Sequence, residues 1–313
     1  APLTITTGSA EKEYDGTALT NAEASITGLV NNETATVTAT GSRTEVGNST
    51  NTYSIAWGTT DSDNYEITET LGTLTVTINE TTEVKLIAAD AEKVYDGTEL
   101  TKTDGVTWEG LPDGFTVVAT SSGSQTNAGS SDNVVNDDYA IKDGNGVDQT
   151  ANFTNVLKVP GTLKVTKAPL TITTGSAEKE YDGTALTEGT ATITGLVTGE
   201  SVTLTATGSQ TEVGDSDNTY SITWDYATAA NYTVTDNLGT LTVTTSAAEV
   251  LLTAPSDSKT YDGTALTKTT GVTWSGLPTG FTVEATATGS QTDAGSSANV
   301  VDDGYVIKNS DGD

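Results

Sequence analysis

One nine-residue phrase, KEYDGTALT at Lys12–Thr20, returns as KVYDGTELT at Lys93–Thr101, KEYDGTALT at Lys179–Thr187 and KTYDGTALT at Lys259–Thr267. A fourfold phrase at intervals of about 80 residues implies a chain built from stacked units rather than one large core. The units also close alike, with LGTLTVT at Leu71–Thr77, PGTLKVT at Pro160–Thr166 and LGTLTVT at Leu238–Thr244. APLTITTGSAEKEYDGTALT stands unchanged at Ala1 and at Ala168, whereas GVTWEGLPDGFTV (Gly105–Val117) pairs with GVTWSGLPTGFTV (Gly271–Val283). The order is therefore A-B-A-B: A1 over 1–78, B1 over 79–167, A2 over 168–245, and B2 over 246–313, which stops before a closing GTLxVT. B2 is expected to be an incomplete domain with an unpaired sheet edge.

Within a unit the pattern is β throughout. LTITT, TATVTAT, TYSIAW and GTLTVT alternate apolar or aromatic residues with Thr and Ser at period two, and no stretch carries a helical stripe. Clusters such as TGLVNNE, EVGNSTN and TTDSDN read as the turns between them. The fold class expected is all-β: a tandem array of four small β-sandwich domains, Ig-like or β-grasp-like, forming an elongated rod. Trp57 and Trp224 lie late in the A units and Trp108 and Trp274 early in the B units, which predicts one Trp core anchor per domain. Pro169 stiffens the B1–A2 junction, and INETTE (Ile78–Glu83) and TSAAE (Thr245–Glu249) lack the Gly content of a flexible tether. A rod on the order of 130–160 Å follows.

Composition removes most chemistry. The 313 residues include no Cys, Met or His, so thiol nucleophiles, histidine bases and His/Cys metal sites are absent. With 43 acidic residues against 13 basic, a formal net charge of −30, the chain repels nucleic acid and anionic lipid. No apolar run approaches the roughly 20 residues of a membrane helix, so no membrane insertion by this segment is expected. The chain opens at Ala1 without Met and reads as a fragment of a longer protein.

The repeated phrase itself reads as a joint. Lys12 and Tyr14 share a strand face, Asp15-Gly16 supplies a turn, and Tyr14 covers the core edge with its hydroxyl at the rim. Each phrase Lys is expected to reach solvent past its Tyr; the competing chemistry, a Lys–Asn isopeptide bond to Asn64 or Asn231, needs a buried neutral Lys beside a carboxyl group. One candidate cofactor remains, calcium, for the loop DGNGVD: Asp143, Asn145 and Asp148 present side-chain oxygens on a Gly-rich turn. The loop lacks the final Glu of the twelve-residue calcium pattern, which favours a solvated acidic turn. No catalytic or other cofactor-binding residue is identified.

The pattern K-x-Y-D-G-T-x-L-T, then GLV or GLP, then VG or AG (Val46-Gly47, Ala128-Gly129, Val213-Gly214, Ala294-Gly295), then NY, and finally GTLxVT resembles the YDG/MBG-type repeats of bacterial surface proteins. The B units depart from it, with Asp138-Tyr139 and Gly304-Tyr305 in place of Asn64-Tyr65 and Asn231-Tyr232. The resemblance implies a non-catalytic stalk or spacer of an adhesin-like protein, extracellular at the bacterial surface or wall and monomeric. Its partners would be adjoining repeats and a binding head elsewhere in the full-length protein. The alternative is that the repeats themselves bind a host or community glycan, mucin or protein multivalently.

Overall fold

In the computed structural model, which describes residues 1–312, the strand Pro2–Thr7 is the centre of a three-stranded sheet. It runs antiparallel to Ala24–Thr27, with Ile5 opposite Ile26, and parallel to Glu66–Thr70, with Leu3 opposite Ile67. A second sheet is built the same way around Thr73–Thr77, parallel to Ala10–Glu13 and antiparallel to Gly47–Thr50. An antiparallel pair, Ala35–Ala39 with Tyr53–Trp57, completes the A1 set. The period-two alternation explains the packing: Leu3, Ile5, Leu74 and Val76 are buried while the intervening Thr side chains point away. Each such side chain contributes about 1.5–3 kcal/mol on leaving water.

B1 carries an equivalent plan. Val84–Ile87 lies between Thr107–Glu109 and Val156–Val159, and Gly161–Thr166 lies between Ala91–Val94 and Gly129–Val135. The chain divides at the junction the repeats mark, into one compact unit of Ala1–Lys167 and another starting at Ala168. In the second unit A2 repeats the A1 topology around Ala168–Thr174 and Thr240–Thr244. Among the described residues B2 is made of two-stranded pairs: Leu251–Thr253 with Thr273–Ser275, Thr282–Glu284 with Val306–Lys308, and Ala287–Thr288 with Val300–Val301. The chain is thus all-β, with short 3-10 turns at Ser62–Asn64, Thr150–Asn152 and Ala229–Asn231 as its helical elements among the described residues.

Two expectations need correction. EVGNSTN is not simply a turn, because Gly47–Thr50 is a strand that pairs with Thr73–Thr77; its polar residues sit on a sheet edge, where ladder hydrogen bonds outweigh weak propensity. The Trp residues are not core anchors. Trp108 and Trp274 are 37% and 41% exposed, on short edge strands, and Trp57 and Trp224 are half-buried at strand ends. Sheets this narrow cannot enclose an indole, and the core is made instead from Leu, Ile, Val and a few phenyl rings.

Candidate functional site: the Tyr-Asp-Gly corner

Ala10–Glu13 ends one residue before Tyr14, whose N–H still bonds the carbonyl of Thr77 at 2.9 Å. The chain then turns through Gly16, held at φ +76°, a conformation that favours Gly. Asp15 organises the turn: its Oδ1 accepts from the Thr17 N–H at 2.9 Å and the Thr17 hydroxyl at 2.8 Å. Lys12 does not run out to solvent. Its Nζ donates to Asp15 Oδ1 (2.6 Å), Thr17 O (2.6 Å) and Thr17 Oγ1 (2.7 Å), three acceptors for three ammonium hydrogens. The strand ends before the alternation can carry Lys12 outward, and the nearest acceptors lie in the turn.

The same knot recurs at Lys93–Asp96–Thr98, Lys179–Asp182–Thr184 and Lys259–Asp262–Thr264, with ion pairs of 2.7, 2.7 and 2.9 Å. For Asp96, Asp182 and Asp262 the hydrogen bond from the Lys, followed by those from the Thr, holds the carboxyl well below the usual carboxylate range. At Asp15 burial opposes this, yet the Lys12 and Thr17 donors still bring the carboxyl below its ordinary value. The ammonium groups are spent on acceptors inside the turn.

The Tyr side chain departs furthest from expectation. Tyr14 does not sit at the rim of its own repeat: it is 1% exposed and plugs B1, with its ring edge-on to Phe115 at 6.0 Å and to Phe153 at 5.8 Å. Phe115 and Phe153 also meet edge to face at 5.4 Å, so the three rings close a triangle within the larger core cluster. Burial, reinforced by the charges of Glu45 and Asp143, pushes the Tyr14 phenol up. Asn79 ties the joint: its Nδ2 donates to Tyr14 O (3.0 Å), its N–H to Asn152 O (2.8 Å), and its carbonyl accepts from Thr154 N–H (3.1 Å). In the second unit Tyr181 meets Phe281 edge-on at 5.9 Å. Tyr95 is also buried, at 7%, whereas Tyr261 is 63% exposed.

The NY motif has a separate role. The Tyr65 hydroxyl accepts from Val30 N–H (3.0 Å) and donates to Glu33 (2.7 Å), clasping the GLV turn of its own repeat; Tyr232 does the same with Val197 and Glu200. In B1 the matching Tyr139 instead lies under Lys158, whose Nζ is 5.3 Å from the ring centre.

Residues 3–75 match the MBG domain (YGX type), and residues 166–239 match the YDG domain. The chain carries YDG/MBG-type repeats. A1 and A2, near copies of each other, are matched under the two descriptions, so both describe one kind of unit in this protein. No curated protein shows a match.

Sequence reasoning about the repeat missed its buried Asn. Asn51 Nδ2 donates to Gly8 O and Asn21 O, both at 2.9 Å, and Asn218 Nδ2 to Gly175 O and Glu188 O at the same distance. Asn133 and Asn299 serve the B units, the latter donating to Pro255 O and Lys268 O at 2.8 Å. The signal was the Asn that recurs before TYS in A and VV in B.

The calcium candidates Asp143, Asn145 and Asp148 do share a loop. Asp143 Oδ1 accepts from the N–H groups of Asn145 and Val147 at 2.9 Å each, and Oδ2 from Gln149 at 3.3 Å. Asp148 Oδ1 is taken by the N–H and hydroxyl of Thr150. A cation here would have to displace donors already facing both carboxylates. Among the described residues no three Asp, Glu, His or Cys side chains gather closely enough to hold a metal ion, and no helix is long and apolar enough to cross a membrane.

Proposed function

We propose that this chain is a non-catalytic stalk of a bacterial cell-surface or secreted adhesin-like protein, built from four tandem β-sandwich domains in two A-B pairs. The observation that supports it best is the copied joint: Tyr14 set into Phe115 and Phe153, and Tyr181 against Phe281. A repeat that spends its signature Tyr on packing into its neighbour resists bending there, as a spacer requires and a ligand site does not. The Lys–Asp–Thr knots support the same reading, because their charged groups are satisfied within the turn. The excess of acidic side chains adds repulsion against folding back. The loop at Asp143 serves as a self-capped turn that needs no cation.

Small-angle scattering tests the stalk. An elongated particle on the order of 130–160 Å is expected, and a compact one would sink the reading. A glycan and mucin array tests the other: saturable binding by the repeats would move them from spacer to receptor.

A further inference from the structure

In A1 the opening and closing segments run side by side in the same direction. Pro2–Thr6 pairs parallel with Glu66–Thr70, and Ala10–Glu13 with Leu74–Thr77. Glu66 N–H donates to Ala1 O and Tyr14 N–H to Thr77 O, both at 2.9 Å, so the pairing extends past both strands. Where the two segments pass together from one sheet to the other, side chains carry the ladder across. Gly72 N–H donates to Thr7 Oγ1 (2.9 Å) and Thr73 N–H to Ser9 Oγ (3.0 Å). Only Gly fits this crossing, because a Cβ on Gly72 would overlap Gly8 O.

B1 and A2 repeat the arrangement. Val84–Ile87 runs parallel with Val156–Val159, and Ala91–Val94 with Leu163–Thr166. Ala168–Thr173 runs parallel with Tyr232–Asn237, and Ala177–Glu180 with Leu241–Thr244. The crossings are bridged again, by Thr162 N–H on Asp90 Oδ1 (2.6 Å) in B1, and in A2 by Gly239 N–H on Thr174 Oγ1 and Thr240 N–H on Ser176 Oγ (2.9 Å each). GTLxVT thus supplies the crossing Gly and two buried anchors, Leu74 and Val76, Leu163 and Val165, or Leu241 and Val243.

Parallel pairing puts the entry of the first segment and the exit of the last at opposite ends of a repeat. Tension along the chain then slides one segment past the other and strains the ladder bonds together. An antiparallel pair loaded at one end instead yields bond by bond. Residues 15–65 of A1 lie behind the ladder and feel no pull until it fails.

We infer that A1, B1 and A2 are tensile clamps, in which the GTLxVT segment and the opening strands resist a pull along the chain through shear of the whole parallel ladder. That the repeats meet tension in use rests on the stalk reading; the clamp rests on the strand directions and the bridged crossing.

The chain contains no Cys, so introduced pairs give unique handles for single-molecule force spectroscopy on all 313 residues. Ala1→Cys with Glu80→Cys loads A1 in shear. Ala1→Cys with Thr27→Cys loads the antiparallel pair of Thr4–Thr7 with Ala24–Thr27 from one end. The first geometry should rupture at severalfold higher force and release roughly 200–250 Å of chain. Thr7→Val with Ser9→Ala, which removes both bridging hydroxyls, should lower the shear force and leave the peeling force. Equal forces in the two geometries would overturn the clamp, as would a double variant that leaves the shear force unchanged or lowers both forces alike, even for a chain that scattering shows to be a rod. A compact particle in scattering with the force difference intact would sink the stalk and uphold the clamp.

Discussion

Tyr14 and Phe115 come from different repeats and meet edge to face at 6.0 Å, with Gly16 of the turn directly against the same phenyl ring. In the A units the signature phrase is therefore read by the repeat that follows it. Replacing Tyr14 with Ala should cost the first unit about 3–5 kcal/mol, as for other large core aromatics. Tyr181→Ala should cost less, because Tyr181 is only half-buried. Tyr261→Ala should stay within about 0.5 kcal/mol, since that ring is 63% exposed. Urea unfolding of the three variants checks the order; equal losses would mean the Tyr acts within its own repeat.

Gly16→Ala should destabilise more than Gly146→Ala. Both residues have positive φ, but a Cβ on Gly16 would fall 2.6 Å from Phe115 Cε2, while one on Gly146 meets nothing within 4 Å. The expected costs are roughly 2–4 kcal/mol against about 1 kcal/mol. Thermal melts of the two variants would separate strain from clash.

Asn51 should be among the least replaceable polar residues. Asn51→Ala leaves Gly8 O and Asn21 O without their donor, at about 1–3 kcal/mol for each buried group. Asn51→Asp should be worse, since it removes the donor and turns a carboxylate toward two carbonyl oxygens. An Asp variant as stable as wild type would show that shape alone matters at this position.

The knot carboxylates predict the acid limb of stability. Asp15, Asp96, Asp182 and Asp262 have folded-state pKa values below their unfolded ones, so they stabilise the fold above about pH 4 and lose that contribution as pH falls through the folded values. We expect melting temperature to hold or rise from neutral pH toward pH 4, as exposed carboxylates lose charge and repulsion eases, and then to fall. Asp182→Asn should lower the melting temperature at pH 7, and its gap from wild type should begin to narrow only below about pH 4 and close as pH falls through the folded-state value. Parallel curves across the whole range would remove Asp182 from this role.

The loop at Asp143 should be indifferent to calcium. Its carboxylates already accept N–H and side-chain donors, so melts in calcium and in chelator should coincide. A large calcium-dependent rise would restore the loop as a binding site.

Strand content and the corner were legible because period two and an Asp-Gly step are local signals: LTITT and TYSIAW fall within or overlap Pro2–Thr7 and Tyr53–Trp57. What lay beyond reach was non-local. Alternation shows that Leu3 faces inward but not that Glu66–Thr70, a strand with every residue exposed, runs parallel beside it. The phrase shows a Tyr before a turn but not that its partners are Phe115 and Phe153 in the next repeat. Trp was overvalued because its size suggests a core, while the narrow sheets leave room only for smaller side chains. The buried Asn passed unnoticed among many polar strand residues, since its carbonyl partners are set by chain crossings rather than by neighbours in sequence.

The Tyr-to-Phe joint also sets what the gene can safely do. An exchange within the identical stretches at Ala1–Thr20 and Ala168–Thr187 removes or adds one whole A-B pair. Every A-to-B joint in the product still places an A-type Tyr before a B-type Phe, so length can drift by recombination while each such seam is inherited intact.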